Sequence, residues 1–300
     1  MRHVLLTTLA ASALLAGCGS EEGVSDGQET PLGVRTEAAP PAADATAEAP
    51  AREAGVTLTT FGCGTIEIAD LDLFADDGSY AGQADTFTDG CFLVEHPDGR
   101  SLLWDLGVPS QLAGAEPMTD GSFTVSLEEG LSEQLAARGA SPTFVSVSHS
   151  HFDHVAQAAA APGATWLVHE AELAHMEATR DQDETGGFAA LMAREREAFT
   201  GEHDVFGDGS VRIIETPGHT PGHTSLLVTL AEEGPVLLTG DLYHREESRE
   251  GRKVPRFNTD AEATRTSMAA FETLAEETGA RVVIQHEPRD VDELVGRTLR

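Results

Sequence analysis

Within the six residues His149-Ser150-His151-Phe152-Asp153-His154 the chain places four side chains that can bind a metal. They follow Phe144-Val145-Ser146-Val147-Ser148, whose apolar and small polar residues alternate as in a half-buried strand. Period-2 geometry puts His149 and His151 on one face at the strand's C-terminal end. The following residues, Phe152 to Ala159, read as a turn opening a helix, so Asp153 and His154 approach from the other side. Two imidazoles facing an imidazole and a carboxylate suit two neighbouring divalent ions of borderline softness, such as zinc.

Three further segments end in residues of the same kind. Thr216-Pro217-Gly218-His219-Thr220-Pro221-Gly222-His223 is a rigid turn between the strand-like runs Val211–Glu215 and Ser225–Leu230. Val236-Leu237-Leu238-Thr239-Gly240-Asp241 is a buried-type strand with a carboxylate at its tip, and Arg281-Val282-Val283-Ile284-Gln285-His286 repeats the layout with a histidine. Strand ends that each carry a ligand point to one edge of a sheet sandwich holding a dinuclear centre. His223 reads as a support for the ligands rather than a ligand. His169, His175 and His203 read as ordinary polar residues, and Trp104 and Trp166 as core.

In order and spacing, these motifs resemble the metallo-β-lactamase superfamily, from about Val56 to the C-terminus. Within it they are most similar to the N-acyl homoserine lactonase family, through Cys91-Phe92-Leu93-Val94-Glu95-His96-Pro97, Leu103-Trp104-Asp105-Leu106-Gly107, Gly240-Asp241-Leu242-Tyr243-His244 and Val254-Pro255-Arg256-Phe257. The resemblance implies a mixed α/β (α+β) fold, an αββα sandwich of two mixed sheets with helices outside. It implies that His149, His151 and His219 bind one metal, that Asp153, His154 and His286 bind the second, and that Asp241 bridges both. The implied cofactors are two divalent ions, zinc by preference. The implied reaction is hydrolytic opening of the lactone ring of an acyl homoserine lactone by a hydroxide held between the ions. Asp153 then returns a proton to the leaving oxygen.

Two departures stand out. Ala156 and Gln157 occupy positions where the family often has Gly and Asn, which matters only if the backbone there needs positive φ. A substrate-polarising Tyr three residues after the bridging Asp is replaced by His244, with Tyr243 one residue earlier. Adjacent residues of a β-run point in opposite directions, so one of Tyr243 and His244 faces the site. Other activities on the same fold fit less well. β-Lactam hydrolases generally lack the carboxylate of Asp241, and glyoxalase II-type thioesterases add a helical region, whereas 14 residues follow His286 here. Another lactonase or esterase is the nearest rival. A non-catalytic surface lipoprotein with structural metal is disfavoured, because structural zinc is normally closed by four protein ligands.

Residues 1–17 have the pattern of a signal peptide, with a short basic start and an apolar stretch from Val4 to Ala16. Leu15-Ala16-Gly17-Cys18 resembles the bacterial lipoprotein processing signal, which implies a lipid on Cys18, a membrane tether and an extracytoplasmic address. Residues 18–55 are rich in Ala, Pro, Glu and Thr and form a disordered tether; residues 56–300 form the hydrolase domain. With 51 acidic against 19 basic residues the formal charge is −32, which argues against nucleic acid and anionic membrane surfaces. The expected partner is a small-molecule lactone. An oxidising compartment permits a Cys63–Cys91 disulfide, but the resemblance to members with similar cysteines implies two buried free thiols. Helical spacing covers Ser126–Arg138, His169–Met176, Phe188–Phe199 and Asp260–Glu277. The segment Leu71–Asp85 reads as a loop serving a homodimer contact or a substrate channel.

Overall fold

A computed structural model describes residues 55–300. The expectations for residues 1–17, for Cys18 and for the tether lie outside the described residues, save Gly55. The chain first lays down β1 (Thr57–Ile68), β2 (Asp85–Glu95), β3 (Ser101–Trp104), β4 (Met118–Asp120), β5 (Phe123–Ser126), β6 (Phe144–Ser146), β7 (Thr165–His169) and β8 (Arg196–Phe199). These pair in the order β4-β5-β1-β2-β3-β6-β7-β8. A second sheet follows from β9 (His203–Asp204), β10 (Val211–Glu215), β11 (Thr224–Leu230), β12 (Gly234–Leu238) and β13 (Arg281–Val283), in the order β13-β12-β11-β10-β9. The last strand, β14 (Thr298–Leu299), returns to pair with β1.

Period-2 alternation sorts the side chains of both sheets into layers. Phe92, Val94, Leu102 and Trp104 of the first sheet pack with Ile213, Leu226, Val228, Val236 and Leu238 of the second. Their sequence neighbours point the other way. Cys91, Leu93 and Leu103 meet Leu131 and Leu135 of α1 (Leu131–Arg138), together with Met176, Phe188 and Leu191 of later helices. On the far side Leu227 and Leu237 meet Met268 and Phe271. Both central strands of each sheet are therefore apolar on both faces, and the result is helix–sheet–sheet–helix layering, the αββα sandwich. Each such Leu, Val or Phe contributes roughly 1.5–3 kcal/mol by leaving water.

The short helices that position the site are α2 (Phe152–Val155), α3 (Glu170–Ala178), α4 (Gly187–Met192) and α5 (Glu246–Gly251). The long α6 (Ala261–Thr278) is capped by Asp260, whose side chain accepts from Glu262 N and Ala263 N, and the short α7 (Pro288–Val291) follows. Three expectations need correction. Ser126 closes β5, so the first helix begins only at Leu131. The run Phe188–Phe199 divides: α4 stops at Met192, and Arg196–Phe199 joins β7 as a parallel strand, where ladder pairing satisfies its backbone. Cys63 and Cys91 form a disulfide, with Cα atoms 5.8 Å apart across the β1–β2 pair, where Gly62 and Gly64 bracket a register shift. The bulge at Cys63 lets its side chain reach Cys91 on the neighbouring strand, a proximity that the 28-residue separation in sequence concealed.

Candidate metal centre and active site

Loops at one edge of the sandwich bring the ligand residues together. Beyond β6, His149 is fully buried, and His151 caps α2, whose first turn carries Asp153 and His154. Ala156 has right-handed angles (φ −66°, ψ −30°), so alanine is unstrained there. His219 sits in the turn between β10 and β11. The preceding Gly218 has φ +135°, and a Cβ on it would lie 2.3 Å from the backbone nitrogen of Thr264. Asp241 follows Gly240 at the end of β12. Gly240 has φ +54° and approaches His223 Nε2 so closely that a Cβ would stand 2.7 Å away. Only glycine accommodates either position.

Two donor clusters result. In the first, His151 Nδ1 lies 2.9 Å from His149 Nε2 and 3.1 Å from His219 Nε2. Asp241 Oδ2 is 3.5 Å from His149 Nε2 and 3.3 Å from His219 Nε2. In the second, His154 Nε2 and His286 Nε2 are 3.2 Å apart, and Asp241 Oδ1 lies 3.1 and 2.9 Å from them. Asp153 closes this cluster at 3.8 Å from His154 Nε2 and 3.7 Å from His286 Nε2. Donors around a tetrahedral ion with bonds of about 2.0–2.1 Å are spaced by roughly 3.3–3.4 Å, so both clusters have the right size. The two oxygens of Asp241 serve one cluster each.

The outer hydrogen bonds decide which ring nitrogens face inward. His154 Nδ1 lies 3.1 Å from Asp105 Oδ2, and His286 Nδ1 lies 3.2 Å from the Thr88 carbonyl. His219 Nδ1 lies 3.1 Å from Asn258 Oδ1, an amide orientation fixed by Asn258 Nδ2, which donates to Gly218 O and Thr264 Oγ1. Each Nδ1 therefore carries the proton toward its oxygen, and each Nε2 turns a lone pair into the cluster. Among the described residues the buried Asp241 Oδ1 has no hydrogen-bond donor, although two imidazole nitrogens lie within about 3 Å of it. Lone pairs and a carboxylate oxygen converging without a donor need a cation between them. The residues fit two divalent metal ions.

The electrostatics agree. Burial, reinforced by neighbouring imidazoles, holds His149 and His151 well below the ordinary imidazole range, which keeps them neutral. Burial also acts on His154 and His286, but Asp241 and other carboxylates overcome it and raise both, His286 to about 9. Burial would raise Asp241, yet the imidazoles of His244, His286 and His154 hold it well below the carboxylate range. The cluster favours positive charge at this point, which a pair of dications would supply in place of protons.

All seven residues assigned as ligands, His149, His151, Asp153, His154, His219, Asp241 and His286, meet here. His223 accepts from the Asp241 backbone N–H at 2.9 Å and so supports the bridging residue. His244 lines the site, its Nε2 2.9 Å from Asp241 Oδ2 and its ring stacked on His286. Tyr243 does not. Its backbone is extended, which turns the adjacent side chain away, and its ring lies buried among Met268 and Phe271. Its hydroxyl donates to Glu272 at 2.9 Å, and burial, with Glu272 beside it, pushes the phenol up. Tyr243 thus belongs to the packing against α6 and has no part in the site, and His244 is the one of the pair that faces it.

Three supporting residues escaped sequence reasoning. Asp105 is buried at φ +59°; its Oδ1 accepts from Ser148 N at 2.6 Å and its Oδ2 from Gln285 Nε2 at 2.7 Å. Gln285 in turn accepts from Trp104 Nε1 and Gly240 N, tying three strand ends together. Asn258 orients His219 from a loop. A polar residue directly after a buried strand was the available signal for Asp105, and Gln285 stood beside an assigned ligand.

A cavity of about 380 Å³ opens on Asp153, Asp241, His244 and His286. Its remaining wall is apolar, built from Ile66, Ile68, Leu73, Phe74, Phe87 and Phe123, with the partly exposed Phe152 and Phe257 at its rim.

This fold and ligand set define a metallohydrolase, and the chain belongs to the metallo-beta-lactamase superfamily, whose model matches residues 90–286. Among curated relatives it is 33% identical to the N-acyl homoserine lactonase AttM of Azorhizobium caulinodans over 215 residues, which is 66% of this chain and 81% of that protein. Among solved structures it is similar to an N-acyl homoserine lactone hydrolase with the product N-hexanoyl-L-homoserine bound at the catalytic metal center. The TM-score is 0.68 at 22% identity, covering 80% of this chain and 96% of the other. It is also similar to AidC, a dizinc quorum-quenching lactonase, with a TM-score of 0.58 at 18% identity over 79% of this chain and 90% of the other.

Proposed function

We propose that this enzyme opens the lactone ring of N-acyl homoserine lactones and so quenches quorum signals. The observation that carries the reading is the junction of an apolar cavity with the two donor clusters. A substrate with a small polar ring and an aliphatic tail matches that junction, with the ring at the carboxylates and imidazoles and the tail along Ile66, Leu73 and Phe87. The curated relative named above supports the same substrate.

His149, His151, His219 and Asp241 would hold one ion, and His154, His286 and Asp153, with the other oxygen of Asp241 beside them, would hold the second. Two divalent ions bound there would supply Lewis-acid polarisation of the ester carbonyl and a lowered pKa for water. Zinc fits the mixture of imidazole nitrogen and carboxylate oxygen. The chain's own residues do the rest. Asp153 lines the cavity, where its carboxyl can take a proton from water and return it to the departing ring oxygen. His244, pinned on Asp241, presents its ring edge to the same space and orients the substrate's carbonyl or amide. Phe74 and Phe257 pack edge-on around His244 and exclude water from that side. Water adds to the carbonyl, the acyl–oxygen bond breaks, and an N-acyl homoserine carboxylate and one proton leave.

The enzyme works outside the cytoplasm on a lipid tether at Cys18. Its signal-like residues 1–17 support that address, as does the Cys63–Cys91 disulfide, since such bonds persist in oxidising compartments. The segment Leu71–Asp85 supplies Leu73 and Phe74 to the cavity, and Asp72, Asp76 and Asp77 pair with Arg256, Arg265 and Lys253 of the same chain. That supports the substrate-channel role over a dimer contact.

The test is proton release in a pH-stat from short- and long-chain acyl homoserine lactones, a simple γ-lactone, a β-lactam and a thioester. Turnover restricted to the homoserine lactones is expected. Preference for any other member of the panel would overturn the substrate assignment.

A further inference from the structure

Glu172 is almost fully buried in the first turn of α3, outside every ligand motif. A single oxygen of its carboxylate, Oε2, accepts from Thr220 Oγ1 at 2.7 Å and from Gly222 N at 3.0 Å. Both donors belong to the three-residue stretch between His219 and His223. Gly222 packs so tightly here that a Cβ on it would stand 2.1 Å from the Glu172 nitrogen. The other end of the same turn is held by Asn258, which bonds Gly218 O and His219 Nδ1. The turn is therefore gripped on both sides. The residues it presents are His219, which faces the first cluster, and His223, which accepts from Asp241 N.

An apolar side chain would fill the space beneath this turn without the cost of burying a carboxylate. The carboxylate does what an apolar group cannot, because both of its bonds fix the turn's rotation about the sheet edge. We propose that Glu172 is a positioning residue of the metal centre: it sets His219 at its ligand distance and thereby the affinity of the first ion. This inference rests on the dinuclear reading of the site. It makes the His219-side ion depend on Glu172 directly, while the ion held by Asp153, His154 and His286 feels it only through His223 and the Asp241 backbone.

The test uses the full-length enzyme stripped of metal and titrated with cobalt(II), followed by visible absorption. The binding step lost in His219→Ala identifies the first ion. Glu172→Ala is expected to weaken that step by about 10–100-fold and alter its absorption bands, with the other step weakened far less. Glu172→Gln, whose amide oxygen can accept both bonds, is expected to restore it to within about threefold. Thr220→Val, which removes one donor, is expected to fall between them, and these two variants decide the matter if Glu172→Ala does not fold. Wild-type affinity at both steps in folded Glu172→Ala and Thr220→Val, or equal weakening of both ions, overturns the proposal. Failure of the wild-type enzyme to bind two cobalt ions overturns the dinuclear reading instead, and the proposal falls with it.

Discussion

Asp105 Oδ2 lies 3.1 Å from His154 Nδ1, and the same carboxylate holds Ser148 N and Gln285 Nε2. It thus fixes the tautomer of one ligand and joins the strand end that leads to His149 with the one that leads to His286. Asp105→Asn keeps the volume but turns an acceptor into a donor, opposite Ser148 N in one amide orientation and opposite both His154 and Gln285 in the other. Metal affinity at the second cluster is expected to fall by about 10–100-fold with the fold retained. Equilibrium dialysis against zinc measures this, and undiminished affinity would show that the carboxylate only joins strands.

Asp241 stands between the clusters and gives one oxygen to each. Removing it leaves three imidazoles on one side and two imidazoles with Asp153 on the other, facing each other without a shared negative charge. Asp241→Ala is expected to lose at least one ion per molecule and nearly all lactone hydrolysis. Metal analysis after gel filtration, alongside turnover, checks both. Full metal content and activity would remove Asp241 from the ligand set.

Metal uptake should be linked to protons, and the sign follows from His286. Without metal its imidazole is raised to about 9: burial opposes the charged form, but Asp241 and Asp153 outweigh it. Below that pH a proton occupies the site and must leave before a cation enters. Affinity is therefore expected to rise with pH up to about 9 and then to level off with respect to this group. Calorimetric titrations in buffers of different ionisation enthalpy measure the protons released. Binding near neutrality without proton release would contradict the charge balance described here.

The seven candidate ligands were legible because each is a metal-binding residue type at the end of an apolar run or in the turn beside one. The two-sheet layering was likewise written in alternation such as Phe92-Leu93-Val94. What stayed hidden depends on distances that no local pattern carries. Cys63 meets Cys91 only through the bulge between Gly62 and Gly64, and Phe199 belongs to a strand because β7 is there to receive it. Asp105, Asn258 and Gln285 act through partners far away in sequence, so a polar residue beside a strand end was all that showed. The choice between Tyr243 and His244 needed the backbone angles at the tip of β12.

That choice predicts opposite phenotypes for neighbouring residues. Tyr243→Phe removes only the hydroxyl that donates to Glu272, so activity should stay within about twofold of wild type. The loss to stability should be about 1–3 kcal/mol, as for a hydrogen bond to a charged group. His244→Ala opens the cavity beside Asp241 and should cut kcat/KM by about 10–1000-fold, the range for loss of one orienting or polarising group. Chemical denaturation and lactone kinetics on both variants separate them. Activity lost in Tyr243→Phe and kept in His244→Ala would reverse the assignment.

The Cys63–Cys91 bond closes a 28-residue separation that spans the cavity-wall segment around Leu73 and Phe74. By the chain-entropy argument a loop of this length is worth about 3–4 kcal/mol, because the reduced unfolded chain has more conformations to lose. Both cysteines are fully buried, so reductant reaches the bond only after opening of the β1–β2 pair. Cys63→Ala with Cys91→Ala is expected to lower stability by that amount while keeping the metal centre, whose candidate ligands include neither cysteine. Mild reductant on the folded wild-type enzyme should leave activity unchanged until unfolding begins. Equal stability of the double variant and the oxidised enzyme in urea would show that the bond does not form in the native protein.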